Sequence, residues 1–555
     1  MRFTIKDGVL RKCSLEPGET EVVIPDGVTV IERRDERNWW NCESVFADCK
    51  GMTSVVIPNS VEKIGDSSFK DCDSLTNIVI PDSVKEIGSH AFEGCTGLTS
   101  VVISDSVKEI GWSTFQGCTG LTNIVIPNSV EKIWNCAFEG CTGLGSIAIP
   151  NRVKVIAQQV FKGCTSLTSI VIPDCVEVIG NQAFEGCAGL TGIVIPDSVE
   201  AIDAGAFEGC TSLTSIVIPD SVKKIGEYAF NGCTGLTSVL ISNGVKKLGR
   251  YAFADCKGLT RIAMSNSVKE ISEGAFRGCS GLTNIAIPDS VKKIEGLAFY
   301  GCTNLTSIVI PEGVEEIGWK VFLDCTGLKS IIVNANNPSY SCDERGVLLD
   351  KEKVALIWYP SGNTAASYNI PNSVKEIGDE AFAGCTSLKI VAIPDSVEKI
   401  DSEAFKDCTN LASIVISNNV KEIGYAAFKC CRSLTSIVIP EGVKKIESHA
   451  FESCTNLTSI VIPEGVEEIG YDAFEKCKRL TSVVIPDSVK EIGNAAFWNC
   501  TALTSIVIPK SVKKIGDWNF RGCDLEKLVI HTPSGSYAER YAQRNGIKFQ
   551  LLQHH

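Results

Sequence analysis

The sequence predicts a β-dominated α/β repeat solenoid of about twenty coils, with a continuous parallel sheet on the concave side and short strands and helical or 3-10 turns on the other. Three observations predict it. A phenylalanine recurs every 23 residues from Phe46 to Phe322 and again from Phe382 to Phe520. Each of these 20 phenylalanines is followed three positions later by a cysteine, from Cys49 to Cys325 and from Cys385 to Cys523. Hydrophobic content of 44% with only 7% aromatic suits a thin core of Val, Ile and Leu, one layer per repeat. A register kept over so many copies is that of one supersecondary unit stacked on itself.

Residues 1–45 form the entry: a hairpin signal at Asp7-Gly-Val-Leu10, then an irregular first coil. Between Ile31 and Phe46 there are 15 positions where later coils have five. The excess, Glu32 to Asn41, carries Trp39 and Trp40 among charges. Tryptophan and arginine dominate contact hot spots, so the pair either meets a partner or folds back over the exposed first coil.

Residues 46–333 form the first array, and Leu98 to Gly120 shows its unit. Leu98-Thr-Ser-Val-Val-Ile103 is a short strand with one face buried. In most copies Pro and Asp, Asn or Glu follow, ending the strand in a turn, as at Ile80-Pro81-Asp82-Ser83. Val107 and Ile110 mark a second short strand, and Gly111 permits the bend after it. The Ala-Phe-x-Gly-Cys segment, such as Ala91 to Cys95, is expected to make one tight helical or 3-10 turn that plugs the core with Phe.

The spacing LxxIxI at this period is that of a leucine-rich repeat. The fuller pattern, IPxSVxxIGxxAFxGCxxLTSI, closely resembles the BspA-like, or Treponema-type, leucine-rich-repeat family over nearly the whole chain. The resemblance includes Phe3 to Leu10 and Gly535 to Ala542. It departs from the commonest leucine-rich repeat in having Ser or Gly where an Asn/Cys ladder residue is usual. Members are commonly surface proteins of bacteria and protozoa that colonise animals, several implicated in adhesion to matrix proteins or other cells. The resemblance therefore implies a protein-recognition role, with host matrix or cell-surface protein as partner.

Residues 334–368 interrupt the array, since Phe322 and Phe382 are 60 residues apart, two periods plus 14. Arg345 to Tyr359 reads as two strands joined by the polar turn Asp350 to Lys353. Tyr340, Trp358 and Tyr359 are candidate contact residues there, with packing against the flanking coil as the alternative. The second array covers residues 369–530. Residues 531–555 form a cap: a helix started by Ser534 or Ser536 and stopped at Gly546, then a strand from Ile547 to Leu552.

A net charge of −13 argues against general attraction to nucleic acid or anionic membrane. No apolar run approaches the roughly 18 residues of a membrane helix. The first residues have no apolar leader region, so the expected location is the cell surface if a leader has been removed, or otherwise the cytoplasm. One segment opposes the overall charge: Lys223 to Lys293 holds 11 Lys/Arg against five Asp/Glu. The pairs Lys223/Lys224, Lys246/Lys247 and Lys292/Lys293 are expected to stack as a basic stripe for an acidic partner, or to be ordinary solvated positions.

Of the 26 cysteines, 20 share one repeat position. They are expected to be buried free thiols acting as small apolar side chains, and no zinc spacing is present. Five histidines are too scattered for a catalytic constellation, and no phosphate loop, nucleophile elbow or HExxH motif occurs. No enzyme, cofactor or metal is expected. The candidate recognition surface is the concave sheet, where the exposed columns hold Thr/Ser and a valine row that includes Val171, Val194 and Val217. Such a surface suits an extended protein, with a glycan as the alternative, by multivalent contact.

Overall fold

The computed structural model describes residues 1–32, 44–47 and 49–552. The chain divides into two compact units, Met1–Cys302 with Glu316–Val321, and Thr303–Glu315 with Phe322–His555. Trp39 and Trp40 lie outside the described residues.

In the first unit an antiparallel hairpin, Arg2–Lys6 with Val9–Ser14, begins the stack. Its second strand pairs in parallel with Val30–Ile31, and two-residue back strands then follow at Lys63–Ile64, Glu86–Ile87, Glu109–Ile110 and Lys132–Ile133. Front strands stack in the same register: Ser100–Val102 aligns with Asn77–Val79 and Asn123–Val125, residue on equivalent residue. The parallel strands are as expected, but the front ladder is hydrogen-bonded in segments. Thr191–Ile195 and Thr283–Ile287 have no strand pairing, and Asn123–Val125 is not paired with Ser146–Ala148.

The Ala-Phe-x-Gly-Cys segment is a turn and neither a helix nor a 3-10 helix. Two residues per coil explain this, of which His90 at φ 58° and Gly94 at φ 72° are an example. Left-handed residues four apart break any right-handed turn. The amides that a helix would bond internally reach instead to the next coil: His90 N to Trp112 O at 2.7 Å, Phe92 N to Thr114 O at 2.8 Å and Gly94 N to Gln116 O at 2.8 Å. Each coil is thus tied to the next by a third ladder, which satisfies backbone groups that would otherwise be buried without partners.

The core is one phenylalanine per coil. Phe207, Phe230 and Phe253 are fully buried and stack at 5.2 Å and 5.1 Å with ring planes within 5°, an offset arrangement that the ring quadrupole favours. The cysteine column does more than fill space. Most of its thiols donate to the carbonyl of the phenylalanine one coil back, as Cys95 to Phe69 O at 3.0 Å and Cys118 to Phe92 O at 3.1 Å, while Cys385 donates to Tyr359 O. The same carbonyl accepts the amide of its own coil's cysteine, Cys72 N to Phe69 O at 3.2 Å. Serine in this column would donate as well but lose the apolar contact; alanine would keep the contact and lose the donor.

All described cysteines are free, and every member of the column except Cys523 is buried. Cys13, outside the periodic column by sequence, is buried too and hydrogen-bonds Cys49, so the hairpin supplies a first rung. Under native conditions a thiol reagent should label the half-exposed Cys136, Cys175, Cys342, Cys430 and Cys523 first. After denaturation without reductant it should titrate close to all 26; a large shortfall would mean disulfides.

In the second unit the interruption is a three-stranded meander, Tyr340–Cys342, Leu348–Asp350 and Ala355–Trp358. The two strands read from the sequence are present, and Tyr340–Cys342 is a third. Asn337 anchors the meander, its side-chain amide donating to Pro311 O and Val314 O at 2.7 and 2.9 Å. The periodic register resumes within the last strand, where Leu356 pairs with Ile377. Tyr359 then takes a phenylalanine's place, stacked on Phe382 at 5.2 Å. Back strands and front strands continue to Lys514–Ile515 and Val529–Thr532. The stack ends in helix Tyr537–Arg544 with Ser536 accepting Glu539 N, buried Ala538 and Ala542, and a closing strand Lys548–Leu551 beside Val529–Thr532. Among the described residues no helix is long and apolar enough to cross a membrane.

Candidate partner-binding face

Along each front strand, alternate side chains point to opposite faces of the sheet. In Ser215-Ile-Val-Ile218 the two isoleucines are buried and Val217 stands outward. Because the coils stack without slippage, these outward residues form a column. Val171, Val194 and Val217 are 72%, 80% and 56% exposed, and Val56, Val79, Val102 and Val125 continue the column toward the amino terminus. One isolated exposed valine is ordinary; a contiguous row of them is an exposed apolar strip and the candidate binding face.

The neighbouring threonine column behaves differently from its sequence reading as a hydroxyl array. Thr76 Oγ1 donates to Thr53 O at 3.1 Å, Thr99 Oγ1 to Thr76 O at 3.0 Å and Thr237 Oγ1 to Thr214 O at 3.0 Å. In the second unit Thr458 donates to Thr435 O at 3.0 Å in the same way. With the hydroxyl proton committed to the backbone, the column has only acceptor capacity left for a ligand. The face is accordingly more apolar than a Thr/Val composition implies.

Two shallow depressions lie on it where the ladder lapses. One, of about 320 Å³, is lined by Val125, Ala148 and Val171, the small Ala148 leaving a notch in the valine row. The other, of about 410 Å³, is lined by Val171, Val194, Asp174 and Asp197.

Other sequence candidates are placed elsewhere. Trp358 is 5% and Tyr359 1% exposed. They are core residues, Tyr359 because the register has already resumed there and Trp358 because it meets Phe322 edge-on at 6.3 Å. Neither is available to a partner; of the three candidates in the interruption, only the half-buried Tyr340 reaches the surface. Of the basic positions, Lys246 and Lys292 stack through Lys269, as the backbone bonds Lys269 N to Lys246 O and Lys292 N to Lys269 O record, and Lys223 N bonds instead to Glu200 O. The second column is not uniformly basic: Glu270 stands between Lys247 and Lys293. Lys223 pairs with Glu200 at 3.2 Å, Lys224 with Asp203 at 2.7 Å, Lys247 with Glu270 at 2.6 Å and Lys293 with Glu316 at 2.9 Å. Carboxylates on adjacent rungs thus neutralise much of the expected stripe.

One cluster was not legible in the sequence. His449 is enclosed between the rings of Tyr425 and Tyr471, with Nδ1 2.7 Å from Glu452. Ligand atoms of His449, Glu452 and Glu475 lie within 4.8 Å of one another. Lys429 and Lys476, each 2.6 Å from one of these glutamates, already supply the positive charge there, so the cluster is a half-buried ion-pair network. Only stacking of coils 23 residues apart brings it together.

The description BspA type leucine rich repeat region, in 6 copies, matches residues 42–168, 154–262, 224–341, 361–479 and 421–546. The chain belongs to the BspA-type leucine-rich-repeat family. Arrays of this family are binding scaffolds, and leucine-rich repeats generally mediate protein binding. A leucine-rich repeat protein from Eubacterium ventriosum has a similar structure, at 29% identity and a TM-score of 0.52, over 56% of this chain and 83% of that one. A leucine rich cell surface protein from Faecalibacterium prausnitzii is 26% identical over 99% of this chain and 96% of its own, with a TM-score of 0.36. A leucine-rich repeat protein from Bacteroides ovatus is 23% identical over 100% and 97%, with a TM-score of 0.32. No curated protein matches the chain.

Proposed function

We propose that this BspA-type array is a non-enzymatic cell-surface adhesin that binds host matrix or neighbouring-cell protein through the valine face. The exposed valine column carries the reading: a row of outward apolar residues, each repeated at the next rung, gives multivalent contact with one chain.

Replacing Val171, Val194 and Val217 together by glutamate should abolish retention on a panel of immobilised matrix proteins while leaving the far-UV circular dichroism and the melting temperature within a few degrees of the parent. Retention that survives the triple substitution would remove this face from the reading. A second reading, an intracellular scaffold for other proteins, draws support from the free thiols, which are usual in reducing compartments. Protease shaving of intact source cells separates the two: released peptides favour the adhesin, release only after lysis favours the scaffold.

A further inference from the structure

The valine face has an asymmetric border. Three residues beyond each outward valine, across the buried isoleucine and the turn proline, comes the residue that begins the turn. Beside Val171, Val194 and Val217 that residue is Asp174, Asp197 and Asp220, all exposed. In the first unit the same position is Asp or Asn in every coil from Asp26 to Asp289 and never Lys or Arg. Asp220 accepts the Asn243 amide at 2.7 Å, a neutral donor that leaves its charge in place.

Cations are present nearby but engaged with other carboxylates. Lys154 pairs with Glu177 at 2.9 Å and Lys223 with Glu200 at 3.2 Å. Among the described residues no lysine or arginine pairs with the three aspartates. The ion pairs cancel one another, and the aspartates remain as the net charge along this border. The depression of about 410 Å³ opens between the two features, with Val171 and Val194 on one side and Asp174 and Asp197 on the other. It coincides with the coil whose front strand is unpaired, Thr191–Ile195, where Val194 is the most exposed valine of the column.

We infer that the Val171–Val217 stretch of the face takes a cationic amphipathic polypeptide, its apolar residues on the valines and its lysines or arginines on Asp174, Asp197 and Asp220. The inference rests on the proposed role of the valine face and adds the partner's chemistry. Apolar contact supplies affinity, and the acidic border orients the partner and rejects acidic ones.

The test uses the full chain and a fluorescein-labelled amphipathic peptide of leucine and lysine, with analogues carrying glutamine or glutamate in place of lysine, read by anisotropy. The lysine peptide should bind about tenfold tighter than the glutamine analogue at low salt and lose that advantage at high salt. The variant Asp174→Asn/Asp197→Asn/Asp220→Asn should remove the advantage and leave the glutamine analogue's affinity unchanged. The variant Val171→Thr/Val194→Thr/Val217→Thr, nearly isosteric and suited to a strand, should weaken both peptides. Equal binding of the lysine and glutamine peptides, or an advantage that survives the asparagine variant, overturns the cationic partner while the face stands. Binding of both peptides unaffected by the threonine variant overturns the face itself.

Discussion

Raising the pH above about 9 should unfold this protein over a narrow interval, because its core is lined with protonated thiols. The Cys118, Cys187 and Cys233 thiols are pushed up from an ordinary value of 9.0 to about 12, chiefly by burial, against which a backbone hydrogen bond from the preceding rung works. Cys408 in the second unit is raised to about 12 for the same reason. In the unfolded chain these thiols release their protons near 9, whereas in the folded chain they hold them until about 12. Stability contributed by such a group is fully present below the unfolded value and is lost as pH rises toward the folded one. Each thiol costs about 1.4 kcal/mol per pH unit in that window, and only a few are needed to exhaust the 5–15 kcal/mol typical of a folded domain.

Thermal melts between neutral pH and about 11 should therefore show a melting temperature that is level to about 9 and then falls steeply. Replacing Cys118, Cys187 and Cys233 by alanine should lower stability at neutral pH, since three donors to phenylalanine carbonyls are lost. It should also make the alkaline fall shallower, by about 4 kcal/mol per pH unit for the three together. An unchanged alkaline slope in that variant would place the sensitivity elsewhere.

Replacing Phe230 by alanine should cost about 3–5 kcal/mol, the range for removing a fully buried aromatic side chain. The ring is inaccessible to solvent and stacked on both sides, on Phe207 and Phe253, so no surface group can move in to fill the space. In a stacked array each coil contacts only its neighbours, and a weakened rung uncouples the coils on either side. Urea unfolding of Phe230→Ala should start at lower concentration and broaden into more than one step, with amide exchange accelerated first in the flanking coils. Phe549, only partly buried at the end of the stack, should cost much less when replaced by alanine. Equal costs at the two positions would mean that the stack does not concentrate stability in its interior.

The period of Phe and Cys is enough to read the coil, its two strands and its inward residues, because an array must repeat whatever buries each layer. The interruption at 334–368 was legible as an irregular hairpin; its third strand, Tyr340–Cys342, and the point where the register resumes were not. Tyr359 reads as the end of a strand, either a partner contact or packed on the flanking coil, although counting back 23 residues from Phe382 lands on it and marks it as a core ring. The cap helix was legible from local start and stop signals, Ser534 or Ser536 and Gly546, and the structure selects Ser536. The turn that carries the phenylalanine was misread as helical, because the left-handed conformation of non-glycine residues such as His90 is dictated by bonding to the next coil and not by their own preferences.

Sequence alone therefore determined that this protein is a stacked array of 23-residue coils, with phenylalanine, cysteine, leucine and isoleucine inward and a valine row outward. Those properties follow from periodicity, which is a one-dimensional quantity. Only the tertiary structure decided the state of each column's polar groups. Stacking puts a carbonyl within reach of the front-column threonine hydroxyls and most core-column thiols, pairs lysines with glutamates on adjacent rungs, and encloses His449 between two tyrosines. Such contacts depend on distances of a few ångströms between residues one period apart, and spacing along a chain does not contain them.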